Sequence, residues 1–220
     1  MATDRFDRLA HIDWEQPPSV LAECTALFDE LSKDLDGLVE LLRAIPADEH
    51  LAEMCEGYDF LHKLVLHDHQ ATGARVRLHL YRPGYFERPH NHRWTFASRI
   101  LRGSYEHRVF GTEEVLDEDT DPDTLTPIHF REERAGATYV LHHTSVHSVQ
   151  AQADSISLIV RGPAAKRSFL ILDRATGAPI WVSGAADESP QTRASKQLSE
   201  EQLANTIDHA AGLLLAMKTT

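Results

Sequence analysis

The spacing of apolar residues changes near residue 60, and this change constrains the fold more than any other feature of the chain. Before it, apolar residues recur at three- and four-residue steps between Leu21 and Ile45, which predicts one long helix or two stacked helices, with a break at Asp36-Gly37. A second short helix is predicted around residues 48–55. Beyond residue 60, apolar and polar residues alternate with the period of a half-buried strand.

The second part of the chain contains a series of short strand-like runs that no helical pattern interrupts. They are residues 74–81, 95–101, 104–110, 126–133, 137–142, 146–152, 155–161, 168–173 and 179–183. Short strands separated by glycine and proline predict an antiparallel sandwich or barrel.

The C-terminal part returns to a helical pattern. Residues 184–197 are polar and predict a linker, and Ser199 with Gln202 forms a capping box at the start of a C-terminal helix. The predicted fold class is therefore mainly β. We expect an N-terminal helical segment packed on the barrel (1–59), the barrel itself (60–183), and a linker with a helix (184–220).

Charge and hydropathy exclude several classes of partner. The 220 residues include 34 acidic and 22 basic side chains, for a net charge of −12, and no local basic patch is present. Because this charge repels a phosphate backbone, we expect no nucleic-acid partner. There is no apolar run of about 20 residues and no secretory signal pattern at the start, so we expect a cytoplasmic protein without a membrane partner. We expect a small-molecule substrate and allow for a homodimer.

Histidine, not cysteine, is the candidate metal ligand. Cys24 and Cys55 lie in predicted helices without ligand spacing, so neither a disulfide nor a cysteine-based zinc site is predicted. The chain has 14 histidines. On a strand, His90 and His92 would point to the same face and reach one ion, and His147 could supply a third imidazole from the second half of the barrel.

The glycines and histidines of this region resemble the two motifs of the cupin superfamily. The first motif is a glycine, five residues, His-x-His and a later glycine, and the second is a glycine, a turn and a single histidine. Gly84, His90, His92 and Gly103 match the first motif, and Gly136 and His147 match the second. The resemblance covers residues 60–183 and implies a double-stranded β-helix barrel that binds a metal ion through the three histidines.

The pattern also departs from most metal-binding cupins, which place a glutamate four or five residues after the second histidine. Phe96 and Ala97 stand there instead. A three-histidine site without that glutamate is similar to the thiol dioxygenase branch, that is, cysteine dioxygenase and its relatives, which also carry helices before the barrel. The resemblance implies a non-haem iron oxygenase acting on a small amino-acid-like or thiol carboxylate substrate.

A second departure concerns the cross-link of the animal-type cysteine dioxygenases. Those enzymes have a cysteine near position 96–97 and a tyrosine near position 161, and this chain has neither. The Cys–Tyr cross-link is therefore excluded, which argues against cysteine itself as the substrate.

The expected cofactor is one divalent metal ion, with Fe(II) first and zinc, nickel or manganese as alternatives. Three neutral imidazoles leave the ion its full 2+ charge and about three open positions in an octahedral shell. Iron suits oxygen chemistry. Other ions suit a non-oxidative enzyme that rearranges or condenses a small polar metabolite, and a ligand-binding cupin without turnover is a third alternative.

The strand 74–81 has an apolar face and a polar face, and the sequence leaves open which one points inward. If the apolar face packs against the N-terminal helices, then Arg77, His79 and Tyr81 point at the metal. Otherwise they face solvent. Arg161 is the first candidate to bind a substrate carboxylate, because the guanidinium fork binds carboxylates in a bidentate manner, and Arg77 is the second.

Four further side chains complete the candidate set. Tyr105 and His107 share a face of the strand after Gly103, and either could hydrogen-bond a substrate or a metal-bound oxygen in a catalytic role, whereas the alternative role of His107 is structural. His142 and His143 are adjacent, so they would point to opposite faces and at most one could join the site, and the favoured alternative is a turn-flanking surface pair.

Overall fold

The computed structural model describes residues 5–83, 88–121, 123–173, 176, 178–184 and 187–219. The helices are α1 (Pro17–Lys33), α2 (Leu35–Ala44), α3 (Glu49–Glu53), α4 (Pro190–Lys196) and α5 (Glu200–Ala216). The strands are β1 (Glu56–Gly57), β2 (Leu61–His69), β3 (Ala74–Tyr81), β4 (Phe96–Arg102), β5 (Ser104–Thr112), β6 (His129–Arg134), β7 (Thr138–Leu141), β8 (Ser145–Ala151), β9 (Ile156–Arg161), β10 (Ser168–Leu172) and β11 (Pro179–Ser183). The structure confirms the predicted fold class, a mainly β barrel with helices at both ends.

The N-terminal helices differ from the prediction in where they separate. The break lies at Asp34, and the Asp34 carboxylate caps α2 by accepting a hydrogen bond from Gly37 N at 3.0 Å. Gly37 therefore sits in the first turn of α2 and does not end a helix. Part of the predicted polar linker is also helical. Ser189 caps α4 and Pro190 occupies its first turn, where the missing N–H has no cost.

One strand lacks the alternation that identified the others. In β2 the pairing with β3 shifts between Val65 and His67, so a bulge interrupts the two-residue period. The C-terminal helix matches its prediction, because the capping box of Ser199 and Gln202 starts α5. No helix among the described residues is both long and apolar enough to cross a bilayer.

The strands form three antiparallel sheets. The largest has the order β1-β2-β3-β9-β4-β7, and the other two have the orders β6-β5-β8 and β10-β11. The backbone of His90 pairs with His147 of β8 and with Ile171 of β10, so the segment before β4 joins the two smaller sheets. A cavity lies between this composite layer and the large sheet, and side chains of both layers line it.

The helices cover the outer face of the large sheet. Their buried leucines share one apolar cluster with Val76, Leu78 and Leu80 of β3, all at most 3% exposed. A fully buried side chain of this size contributes about 1.5–3 kcal/mol to folding, which fixes the register of the strand. Because strand side chains alternate, the polar face of β3 must turn into the cavity.

Candidate metal centre

Backbone pairing between two distant segments brings the three predicted ligands together. The backbones of His90 and His147 exchange two hydrogen bonds, each of 2.9 Å. His92 follows His90 by two residues, and one ring nitrogen from each of the three side chains lies within 4.8 Å of the others. We call His90, His92 and His147 the buried cluster.

The hydrogen bonds of the rings indicate which nitrogens face the common centre. His90 donates from Nδ1 to the Arg88 carbonyl oxygen at 2.7 Å, so its lone pair is on Nε2. The Nε2 atoms of His92 and His147 are 2.8 Å apart. Two imidazole nitrogens at this distance must share either a proton or a cation. This arrangement fits a metal ion.

Burial keeps these rings in the form that binds metals. Removal from water, and then repulsion by the neighbouring His90, lowers the pKa of both His92 and His147 well below the usual value. The rings are therefore neutral at pH 7. Neutral imidazole is a ligand for iron, zinc, nickel and copper.

Asn91 holds the ligand segment in place. Its side-chain oxygen accepts a hydrogen bond from Leu170 N at 3.0 Å, and its amide nitrogen donates to Glu113 Oε2 at 3.3 Å. The side chain is buried, so both bonds are made away from water. This anchoring fixes the backbone between His90 and His92, a role that no local sequence pattern indicates.

Two motif glycines have backbone conformations that other residues rarely adopt. Gly103 has φ +74° and Gly136 has φ +90°. At Gly103 a Cβ atom would also lie 3.0 Å from the Cα of Ser155. Both therefore favour glycine. Gly84, the first glycine of the motif, lies outside the described residues.

Apolar side chains occupy the positions where most metal-binding cupins have a glutamate ligand. The ring of Phe96 packs edge-on against His92 with centroids 4.8 Å apart, and Ala97 is fully buried among the residues that pack on the helices. Among the described residues, no further histidine, cysteine, aspartate or glutamate joins the buried cluster. Phe96 is the cross-strand neighbour of Arg161, where the animal-type enzymes have their cysteine and tyrosine.

The predicted catalytic residues Tyr105 and His107 lie behind the ligands and not at the cavity. His107 Nε2 is 3.0 Å from Nδ1 of His147, and its Nδ1 is 3.1 Å from Glu133 Oε1. The Tyr105 hydroxyl is 2.7 Å from that of Tyr139, and the ring is 1% exposed. Neither Tyr105 nor His107 is among the described residues that line the cavity.

The cavity has a volume of about 1240 Å³ and contains the buried cluster at its wall. The four residues predicted to bind substrate, Arg77, His79, Tyr81 and Arg161, all line it. Of the two orientations that the sequence left open for β3, the structure has the inward one for the polar side chains. The volume is much larger than a free amino acid requires.

Two buried guanidinium groups face the cavity without a carboxylate partner among the described residues. Arg77 is 7% exposed and Arg161 is 9% exposed, and both lie over the ring of Trp94, at 5.8 and 4.9 Å from its centroid. Arg161 donates from Nη1 to the carbonyl oxygens of Gly73 and Gly162. The Nε atoms of both arginines have no described hydrogen-bond partner.

The pKa values of these arginines fall because burial outweighs the nearby carboxylates, which are Glu56 for Arg77 and Asp68 for Arg161. Burial, and then repulsion by Arg77, lowers the pKa of Arg161 to about 8. The pKa of His79 falls well below its usual value because the ring is buried and Lys63 and Arg77 are near, and its Nε2 has no described partner. An anion in the cavity would compensate these positive charges.

Sequence reasoning missed residues whose roles depend on register. Glu133 supports His107 only because β6 pairs with β5 in a particular alignment, which no local pattern reveals. Glu56 and Lys63, which are register partners in β1 and β2, also line the cavity. Trp94 could have been found, since it lies two residues after His92 in the ligand segment.

His142 and His143 lie apart from the buried cluster and flank a turn. The two residues follow the end of β7, in a turn, so their side chains do not alternate, and the ring centroids are 4.0 Å apart. With Glu15 they form a second group of ligand atoms within 4.8 Å, which we call the exposed cluster. His142 Nε2 is 3.5 Å from Glu15 Oε2, and the Glu15 side chain is 65% exposed.

Comparisons with known proteins give likenesses of fold only. No protein-family model matches the chain, and no curated protein matches it. Similar solved structures include KdgF from Halomonas sp., with 16% identity over 48% of this chain and 82% of that one, and a TM-score of 0.37. An RmlC-like cupin from Shewanella frigidimarina NCIMB 400 has 16% identity over 51% of this chain and 85% of that one, with a TM-score of 0.38.

A third similar structure is one of the crystal structures of the DMSP lyases RdDddP and RnDddQII. It has 16% identity and a TM-score of 0.36, and the match covers 50% of this chain. This chain spans about half of that protein, 52% of its length. At such identities and TM-scores, none of the three likenesses bears on the activity of this chain.

Proposed function

We propose that this chain is a metal-dependent enzyme of the thiol dioxygenase type, a non-haem iron oxygenase acting on a small amino-acid-like or thiol carboxylate. One observation carries the proposal. The buried cluster and two guanidinium groups without carboxylate partners line the same cavity. A metal ion and an anion-binding group are the two things that such a substrate needs.

The three imidazoles of the buried cluster would hold the ion and leave part of its coordination shell to the substrate. When bound, iron supplies a Lewis acid and a redox couple for oxygen chemistry. Because Phe96 and Ala97 replace the usual glutamate, a divalent ion held by the three imidazoles would keep its full 2+ charge, which would favour an anionic thiolate. This chain resembles the thiol dioxygenases in these features.

The chain's own residues would bind and orient the substrate. Arg161, with Arg77 beside it, would accept the substrate carboxylate, and both guanidinium groups are held by contact with Trp94. His79, kept neutral by burial, would offer its Nε2 atom to the substrate amine or thiol. The rings of Phe96 and Phe169 would exclude water next to the ligands.

A non-oxidative enzyme remains the second candidate, because a three-histidine set also suits zinc. The test begins with the metal content of protein purified without a chelating tag. Oxygen uptake is then measured with cysteine, 3-mercaptopropionate and cysteamine. 3-Mercaptopropionate lacks the amine and cysteamine lacks the carboxylate, so the three compounds separate the groups that the cavity recognises.

We expect iron, and oxygen uptake with at least one thiol carboxylate but not with cysteamine. Stoichiometric zinc with no oxygen uptake would remove the oxygenase and favour the non-oxidative enzyme. Metal-free protein that binds these compounds without turnover would indicate a ligand-binding cupin.

A further inference from the structure

A line of hydrogen bonds runs from one candidate metal ligand to a buried carboxylate. His147 Nδ1 lies 3.0 Å from His107 Nε2, and His107 Nδ1 lies 3.1 Å from Glu133 Oε1. Glu133 in turn makes an ion pair with Arg131. His107 is 1% exposed and Glu133 is 3% exposed, so water does not compete for these bonds.

The Glu133 carboxylate at the end of this line determines which nitrogen donates and which accepts in each hydrogen bond. An ionised carboxylate only accepts hydrogen bonds, so His107 donates from Nδ1 to Glu133. The Nε2 atom of a neutral His107 then carries a lone pair and accepts. His147 must therefore donate from Nδ1, which leaves its own lone pair on Nε2, the atom that faces His92.

We infer that Glu133 and His107 are positioning residues, which fix His147 in the Nδ1–H tautomer and raise its affinity for the metal ion. The inference rests on the metal centre of the proposed function. Neither residue touches the substrate, and both act through the imidazole of His147. Groups of this kind typically change metal affinity by about 10–100-fold.

The outer contacts of the ligands differ. His90 donates to the neutral backbone carbonyl oxygen of Arg88, whereas the line from His147 ends at a carboxylate. Hydrogen bonds that involve an ionised group are roughly twice as strong as neutral ones. The bond from His107 to the ionised Glu133 is of this kind, so it orients His107, which in turn accepts from His147.

The experiment compares three variants that change this line in graded steps. His107→Phe keeps the ring volume and removes both bonds. His107→Gln keeps them in principle, because its amide oxygen can accept from His147 and its amide nitrogen can donate to Glu133. Glu133→Gln preserves an acceptor for His107 and removes only the charge. His209→Phe is the matched control, since His209 pairs with the Asp154 carboxylate at the surface, outside the metal cavity.

Two readouts are measured on the full chain. The first is the affinity for Zn²⁺ by competition with a chromophoric chelator. We expect a 10–100-fold loss in His107→Phe, a smaller loss in Glu133→Gln, recovery to within about threefold of the wild type in His107→Gln, and no change in His209→Phe. The second is the tautomer of His147 by ¹⁵N NMR of the metal-free protein, which needs no ion and which a merely structural role would not change.

The outcomes separate this inference from the proposed function. Wild-type affinity in His107→Phe, or a His147 tautomer that is the same in that variant, overturns the inference while the metal centre stands. Equal losses in His107→Gln and His107→Phe also overturn it, because restored hydrogen bonds should restore binding. Wild-type protein that binds no divalent ion overturns both the inference and the metal centre.

Discussion

The chain brings together two sets of metal-ligating side chains, and the difference between them shows what makes a cluster a site. In the buried cluster His90 and His147 are buried and His92 is half-buried, whereas in the exposed cluster Glu15 is exposed and both histidines are half-buried. Both sets place their ligand atoms within 4.8 Å of one another. Proximity alone therefore does not distinguish them.

The hydrogen bonds of the outer ring nitrogens and the neighbouring cavity do distinguish the two clusters. In the buried cluster each of two rings has its outer nitrogen bonded to a buried or partly buried acceptor, and the set opens onto a large cavity whose arginines have no carboxylate ion-pair partner among the described residues. In the exposed cluster the outer nitrogens of His142 and His143 contact the hydroxyls of Thr144 and Thr95. Ordered outer partners raise metal affinity, so we expect the buried cluster to bind an ion much more tightly.

The largest expected effect tests whether metal binding depends on the buried cluster and not on the exposed cluster. His147→Ala removes one of three ligands and should abolish stoichiometric metal binding, whereas His142→Ala, a histidine removed from the exposed cluster, should leave it unchanged. Metal per chain after dialysis is the measurement. Folding stability should change little, because a large apolar core and not the ion holds the barrel together. Full occupancy in His147→Ala, or an equal loss in both variants, would contradict the distinction.

The next effect tests the surroundings of the buried cluster. Arg161→Ala should raise the apparent KM for a thiol carboxylate by tens-fold or more, since losing a partly buried arginine–carboxylate pair costs about 2–5 kcal/mol. Metal content should stay normal. Arg134→Ala is the control, because the side chain of Arg134 is 75% exposed and lies outside the cavity. Unchanged KM values in both Arg161→Ala and Arg77→Ala would place the anion-binding group elsewhere.

The same contrast explains how much of the site the sequence could predict. The sequence predicted His90, His92 and His147 because the motif is defined by the spacing of residues along the chain. Alternation also gave the two faces of β3, although only the packing of the helices on Val76 and its neighbours determined which face points inward. These features depend on distances of a few residues, which a single sequence contains.

The features that could not be predicted depend on alignment between distant segments. Glu133 reaches His107 through the register of β5 and β6, and a slip of one residue would have turned it away. The bulge in β2 and the turn that brings His142 and His143 together also interrupt the alternation on which strand prediction relies. Local period gives the fold class, whereas tertiary pairing completes the site.

The smallest expected effect concerns the exposed cluster and the pH dependence of stability. Burial, and then the neighbouring His142, lowers the pKa of His143, with Lys166 acting in the same direction and Glu15 and Glu113 opposing it. The unfolded chain therefore binds a proton on His143 at a higher pH than the folded chain does. The stabilisation from the neutral ring is present above the usual histidine pKa of about 6.5 and is lost as the pH falls below it.

His143→Gln removes this titration and keeps a polar side chain of similar size. Between pH 7.5 and pH 5.5, the wild type should lose more free energy of unfolding than the variant, as measured by urea denaturation at each pH. Because the other histidines titrate in both proteins, their contribution cancels in the difference. Glu15→Ala should change stability by less than about 1 kcal/mol at pH 7.5, as expected for a contact of an exposed side chain. If the wild type and His143→Gln lose the same stability with pH, then folding does not lower the pKa of His143, and the prediction is contradicted.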